Sequence, residues 1–155
     1  MKITGKNSLS SIFSVVIIVS LVLGAVLIVA LPFIYCYLPG YRWIFYFFES
    51  NMLASLILLE VCGVIFWLIV NEGRKIFNTM RADDPFNISN AVYLKRIAYM
   101  CLLLFIAFIV KMIFDFSPLT PVIAVVFLIV SMLMRILSGV FHKAAQVKSE
   151  NDLTI

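Results

Sequence analysis

Charge is scarce in this chain. Asp, Glu, Lys and Arg together make 13% of it, about half the roughly 25% of an ordinary soluble domain. The shortage excludes a self-sufficient soluble fold. With 64% hydrophobic residues over 155 positions and a mean hydropathy of +1.12, there is more apolar surface than one small core can hide, so lipid must solvate the remainder. Cysteine is nearly absent too. Cys36, Cys62 and Cys101 are scattered through apolar runs with no CxxC spacing, which speaks against a thiolate metal cage or redox pair and for small hydrophobic side chains. His142 is the single histidine, and an isolated interfacial imidazole reads as a snorkelling group. No nucleophile–base set, metal-ligand cluster or phosphate-binding loop is visible, and the lone Gly73 after Glu72 makes no such loop. The expectation is a non-enzymatic protein without cofactor or metal.

What the chain has instead is long hydrophobic runs. A spanning helix needs about 20 apolar residues, at 1.5 Å of rise each through about 30 Å of hydrocarbon. Four stretches qualify, at about 9–34, 44–70, 91–113 and 118–141. The first is much longer than the h-region of a signal peptide and lacks a small-x-small site before a polar segment, so it reads as a retained helix. Orientation follows from the basic residues. Lys2, Lys6, Arg74, Lys75, Arg81, Lys95, Arg96, Lys143 and Lys148 fall on one side, against Arg42 and Lys111 on the other. That bias places both termini and the loop 71–90 in the cytoplasm, with the tail 142–155 beside the loop.

Connections this short make neighbouring helices antiparallel. The expected fold is therefore all-α: a single transmembrane domain over 1–155, an integral membrane four-helix bundle with up-down-up-down topology, N-in and C-in. Tyr35, Tyr37, Tyr41, Trp43 and Tyr46 surround a Leu38-Pro39-Gly40 turn and form an expected aromatic belt at the outer interface. Trp67, near the inner end of the second span, reads as an interfacial anchor.

Two charges lie inside these spans. Glu60 interrupts an apolar run in the second and Arg135 one in the fourth. Each costs several kcal/mol, on the order of 2.5–3.5 on insertion scales, unless paired, hydrated or neutralised. Counting from the outer ends, both lie about 16 residues in, hence at similar depth. An interhelical Glu60–Arg135 pair fixing register is one reading. The other has Arg135 snorkelling alone and Glu60 neutral. Glu49, Lys111 and Asp115 lie near the outer ends, where they could pair, but long side chains reaching interfacial water as anchors is the favoured reading.

On the cytoplasmic side the second helix is expected to continue through Met80 and break around Asp83, Asp84 and Pro85. Asp84 before proline disfavours helix, and either Asp84 or Asn87 can cap the next one. Asp83 and Asp84, without further ligands nearby, read as part of a capped turn. Phe86, Ile88 and Leu94 can rest among headgroups while Lys95 and Arg96 meet lipid phosphates. The tail leaves the fourth span as a helix and ends on Leu153-Thr154-Ile155, apolar groups that need a surface to pack on.

Two segments carry a family resemblance. One runs from Asp84-Pro85-Phe86-Asn87 through Asn90, Leu94, Lys95 and Arg96 to Ile97. The other is the terminal Glu150-Asn151-Asp152-Leu153-Thr154-Ile155. In these motifs and in helix layout the chain resembles an uncharacterised bacterial family of small four-helix membrane proteins encoded beside compact helix-turn-helix regulators. The resemblance implies a non-enzymatic role, either as the membrane partner of such a regulator or in immunity, with no direct nucleic-acid contact. It supplies no catalytic residues. Pro85, Phe86, Asn90, Leu94, Arg96 and the six terminal residues are the interaction surface it points to.

Two further functions stay open at this stage. An immunity protein shielding the envelope from a membrane-active peptide would use its outer face, residues 35–46 and 115–121. A small transporter would have only Glu60 and Arg135 to work with, and a third span almost bare of polar groups between Tyr99 and Lys111.

Overall fold

The computed structural model describes residues 9–37, 52–81, 86–114, 116 and 118–153. They form α1 (Leu9–Tyr37), α2 (Met52–Arg81), α3 (Ile88–Phe114) and α4 (Leu119–Leu153). All four are long and apolar enough to cross a bilayer, so the chain is a multi-pass membrane protein. Helix is what lipid demands of such sequences, because each backbone N–H and C=O must find its partner within the segment. Pro32 stands inside α1, where it removes one ladder bond, a defect that membrane helices tolerate near their ends. The outer turn at 38–40, the aromatic residues Tyr41, Trp43 and Tyr46, and Arg42, Glu49 and Asp115 lie outside the described residues.

The two inner extensions follow from local chemistry. α2 reaches Arg81, beyond its apolar part, as its sequence predicts. Asn87 caps α3: its Oδ1 accepts the Ser89 N–H at 2.9 Å, and its carbonyl accepts from Asn90 N at 3.0 Å. Of the two expected caps, Asn87 therefore acts at the helix start. Asp83, Asp84 and Pro85 lie outside the described residues. α4 has 35 residues, a length of about 52 Å against a hydrocarbon layer of about 30 Å, so it projects well beyond the membrane.

Consecutive helices run antiparallel and pack in sequence order. Among the described residues α1 touches only α2, and α4 touches only α3. The tightest pair is α3 with α4. On α3 the buried positions Asn90, Leu94, Ile97, Cys101, Leu104 and Lys111 follow alternating steps of four and three, with Phe108 filling the remaining step. That is a heptad seam, the pattern of left-handed coiled coils. α4 answers with small residues seven apart, Ala124, Ser131 and Ser138, all buried. Ser131 Oγ donates to the Ala98 carbonyl at 2.8 Å and Ser138 Oγ to the Ala91 carbonyl at 2.7 Å. Small side chains let the backbones approach, and the hydroxyls then reach across.

At the far end of this seam Lys111 is buried and donates to Thr120 Oγ1 at 3.3 Å. This corrects the expectation of a snorkelling anchor. Trp67 is also corrected. Its indole turns into the α1–α2 seam, where Nε1 donates to the Leu21 carbonyl at 2.9 Å, and Gly24 leaves room for the ring.

Candidate functional site

Polar side chains collect where α2 leaves the membrane and α3 enters it. Glu72 is buried, and its Oε1 lies 2.6 Å from Lys75 Nζ and 3.6 Å from Arg96 Nη1. Lys75 Nζ also stands 5.5 Å from the centre of the Tyr93 ring. One turn further out, Thr79 Oγ1 lies 2.7 Å from Asn90 Oδ1 and 2.7 Å from the Ile76 carbonyl, one proton serving two acceptors. Asn90 is fully buried. A carboxylate held between two cations, beside an amide–hydroxyl pair, is a clamp that fixes α2 against α3. Lys75 and Arg96 remain partly solvated, so the ion pairs contribute modestly, and both go to Oε1, which leaves the buried Oε2 of Glu72 without a hydrogen-bond partner.

The same end gathers the base of the tail. Phe86 stacks obliquely on Phe141 with ring centres 6.0 Å apart, tying the entry to α3 to the emergence of α4. From there α4 continues as helix to Leu153, and Val147, Glu150 and Asn151 are exposed on it. Thr154 and Ile155 lie outside the described residues, as does Pro85.

A model of the family described as "protein of unknown function (DUF2975)" matches residues 34–155. The chain belongs to the DUF2975 family. No curated protein and no solved structure matches it. The DUF2975 match takes in α2, α3 and α4 and only the last residues of α1, so it includes the clamp, the Phe86–Phe141 contact and the tail.

Within the DUF2975 region the expected interaction residues divide. Phe86 and Arg96 are exposed, as are Glu150 and Asn151. Asn90 and Leu94 are not: both are buried in the α3 seam, because the heptad step that starts at Asn90 falls on Leu94. They pack, and offer no surface. Glu60 and Arg135 are not brought together, since α2 and α4 share no contact among the described residues. Equal depth does not make neighbours. The Arg135 guanidinium lies 5.2 Å from the centre of the Tyr99 ring instead, a cation–π contact, and Glu60 Oε1 is buried without a hydrogen-bond partner.

Between the helices lies a half-open apolar hollow of about 570 Å³. Leu27 and Ile28 of α1 face Phe127 of α4 across it, with Cys62, Phe66 and Phe108 between. It explains how α1 and α4 share a chamber without touching. Its walls offer hydrocarbon almost alone. Among the described residues no three His, Cys, Asp or Glu side chains converge as metal ligands.

Sequence reasoning missed the clamp. The signal was present in Glu72 and Lys75, an i,i+3 pair of opposite charge at the end of an apolar run, but the partner Arg96 depended on knowing how α2 lies on α3.

Proposed function

We propose that this chain is a non-enzymatic membrane partner of a small cytoplasmic helix-turn-helix regulator, which it holds at its basic end. The observation that carries the reading is the joining of Phe86 to Phe141 at the foot of a helix that runs on to Leu153. Of the two segments that stand out in the sequence, one thus sits at the foot of this helix and the other begins toward its far end, on the same side of the molecule. The nine basic residues expected on that side orient it toward the cytoplasm by the positive-inside rule, with both termini inside. From Phe141 to Leu153 the helix extends about 18 Å, enough to carry the exposed Glu150 and Asn151 clear of the headgroups. In sequence the acidic Glu150 and Asp152 stand beside the apolar Leu153 and Ile155, a combination suited to a basic DNA-binding module, which the tail would withdraw from DNA by occupying its cationic face.

Deletion of residues 150–155, followed by fractionation of a small helix-turn-helix regulator encoded by a neighbouring gene, tests the reading. The intact chain is expected to bring the regulator to the membrane fraction and the truncated chain to leave it soluble, at equal membrane levels of the two. Equal recruitment by both forms would remove the tail from the mechanism, and no recruitment by the intact chain would end the proposal.

A further inference from the structure

On the outer side of the α3–α4 pair, a groove of about 390 Å³ opens at the charged end of the molecule. Lys95 comes to it from α3, and Arg135 and His142 from α4, with Gly139 as its floor. All three basic side chains are exposed, and none has a carboxylate partner among the described residues. The two ion pairs at this end belong to Glu72 with Lys75 and Arg96. Three nitrogen donors thus line one hollow, with no acid paired to them among the described residues.

The hollow does not end there. Arg135 also borders a second groove of about 340 Å³, lined by Tyr99, Leu102, Met132 and Ile136. α3 runs away from the charged end and α4 toward it, so this second groove lies deeper in the bilayer along the same helix pair. Residues 91 to 102 on one helix and 131 to 142 on the other span about 16 Å of membrane depth. The two grooves share Arg135 as a wall, and taken together they make a channel that is cationic at its mouth and hydrocarbon-like below. Its length matches a large part of one leaflet, taken as about half of 30 Å.

We propose that this channel is a binding site for an anionic glycerophospholipid. The phosphate accepts from Lys95, Arg135 and His142, and one acyl chain lies against Tyr99, Leu102, Met132 and Ile136. Basic pockets between membrane helices at the lipid interface are suited to such headgroups, and hydrogen bonds between charged groups are the stronger ones. The site also gives Arg135 what Glu60 does not, a counter-charge. The shape argument rests on Gly139. A Cβ built there meets nothing within 4 Å, so the space above it is open and a larger side chain would fill the mouth without disturbing the helix seam.

The test uses the whole protein in a neutral detergent, titrated with phosphatidylglycerol, phosphatidylcholine or glycerol phosphate, with thermal unfolding and native mass spectrometry as readouts. Phosphatidylglycerol is expected to bind and raise Tm more than phosphatidylcholine, and glycerol phosphate to do neither. Arg135→Gln and Lys95→Gln are each expected to weaken the phosphatidylglycerol response about fivefold, the equivalent of one interfacial cation. Gly139→Leu should abolish the preference with all charges in place. Lys143→Gln, which removes a neighbouring cation outside the groove, should leave the response unchanged. The phosphatidylcholine response and helix content of each variant show that it is folded. Equal responses to the two lipids, a full response to glycerol phosphate, or a Lys143→Gln loss as large as that of Lys95→Gln would overturn the site.

Discussion

The two ends of the chain build their helix pairs by different means. α3 and α4 meet along a heptad seam of small and medium side chains, with two serine hydroxyls bonded across it to backbone carbonyls and Ala98, Cys101, Leu104 and Ala124 almost wholly covered. α1 and α2 meet through one large side chain and two glycines: Trp67 sits over Gly24, and Ile28 over Gly63. Much of α1 stays exposed to lipid, including Val15, Val22 and Val26. In a bilayer, hydrocarbon against hydrocarbon brings no burial advantage, so close backbone approach and interhelical hydrogen bonds decide which helices hold together. α3–α4 has both repeatedly. Among the described residues α1–α2 has close approach at its two glycines and a hydrogen bond from the Trp67 indole, and the apolar hollow lies where the two pairs fail to close on each other.

The largest effect is expected where the seam is densest. Ala98 is 3% exposed and its carbonyl receives the Ser131 hydroxyl. Ala98→Leu forces the helices apart and breaks that bond, with an expected loss of about 2–3 kcal/mol, the upper range for overpacking a core. Reversible unfolding of the purified protein in bicelles titrated with sodium dodecyl sulfate measures it. A loss below about 0.5 kcal/mol, the level of ordinary surface substitutions, would mean that α3–α4 is no tighter than its neighbour and the contrast between the pairs would collapse.

The contrast also shows which parts of the fold could be read from sequence. Span number and the inner reach of α2 followed from length and composition, and Asn87 followed from capping chemistry. Lateral arrangement did not. Rise per residue places Glu60 and Arg135 at one depth, but says nothing of azimuth, and nearly uniform apolarity hides which face meets protein and which meets lipid. The α3 heptad is invisible to hydropathy for this reason. A count of small residues would have exposed it, since Ala124, Ser131 and Ser138 recur every seven. Trp67 misled because an indole near a helix end suits both an interface and a seam, and only the facing Gly24 distinguishes them. Of the candidate site, Phe86 and the tail were legible as motifs, while Leu94 and Asn90 were drawn in by their neighbours in sequence though they face inward.

A smaller loss is expected in the first pair. A Cβ at Gly24 would come within 3.3 Å of Trp67 Cδ1, so Gly24→Leu must displace the indole and break its bond to the Leu21 carbonyl. Replacing glycine in a helix returns up to about 1 kcal/mol of propensity, which offsets part of the damage and leaves an expected net loss of about 1–2 kcal/mol. Indole emission in a Trp43→Phe background reports the displacement directly. Unchanged emission would show that the ring does not need the glycine, and that α1–α2 is held by something other than this contact.

The smallest effect should come from the hydroxyls, although they give the α3–α4 seam its most visible bonds. Ser138→Ala removes the bond to the Ala91 carbonyl, yet that oxygen keeps its place in the α3 ladder. A serine freed from the seam can also bond back to its own helix, so the reference state already holds a partner for it. Interhelical hydrogen bonds in membranes average about 0.6 kcal/mol for this reason, and a loss of that size is expected in the same bicelle titration. Ser131→Ala should add to it independently, the two sites being about 10 Å apart along α4. A loss several times larger would reverse the order of causes. The small residues would then serve chiefly to bring the hydroxyls within reach, and the seam would be held by its polar bonds more than by packing.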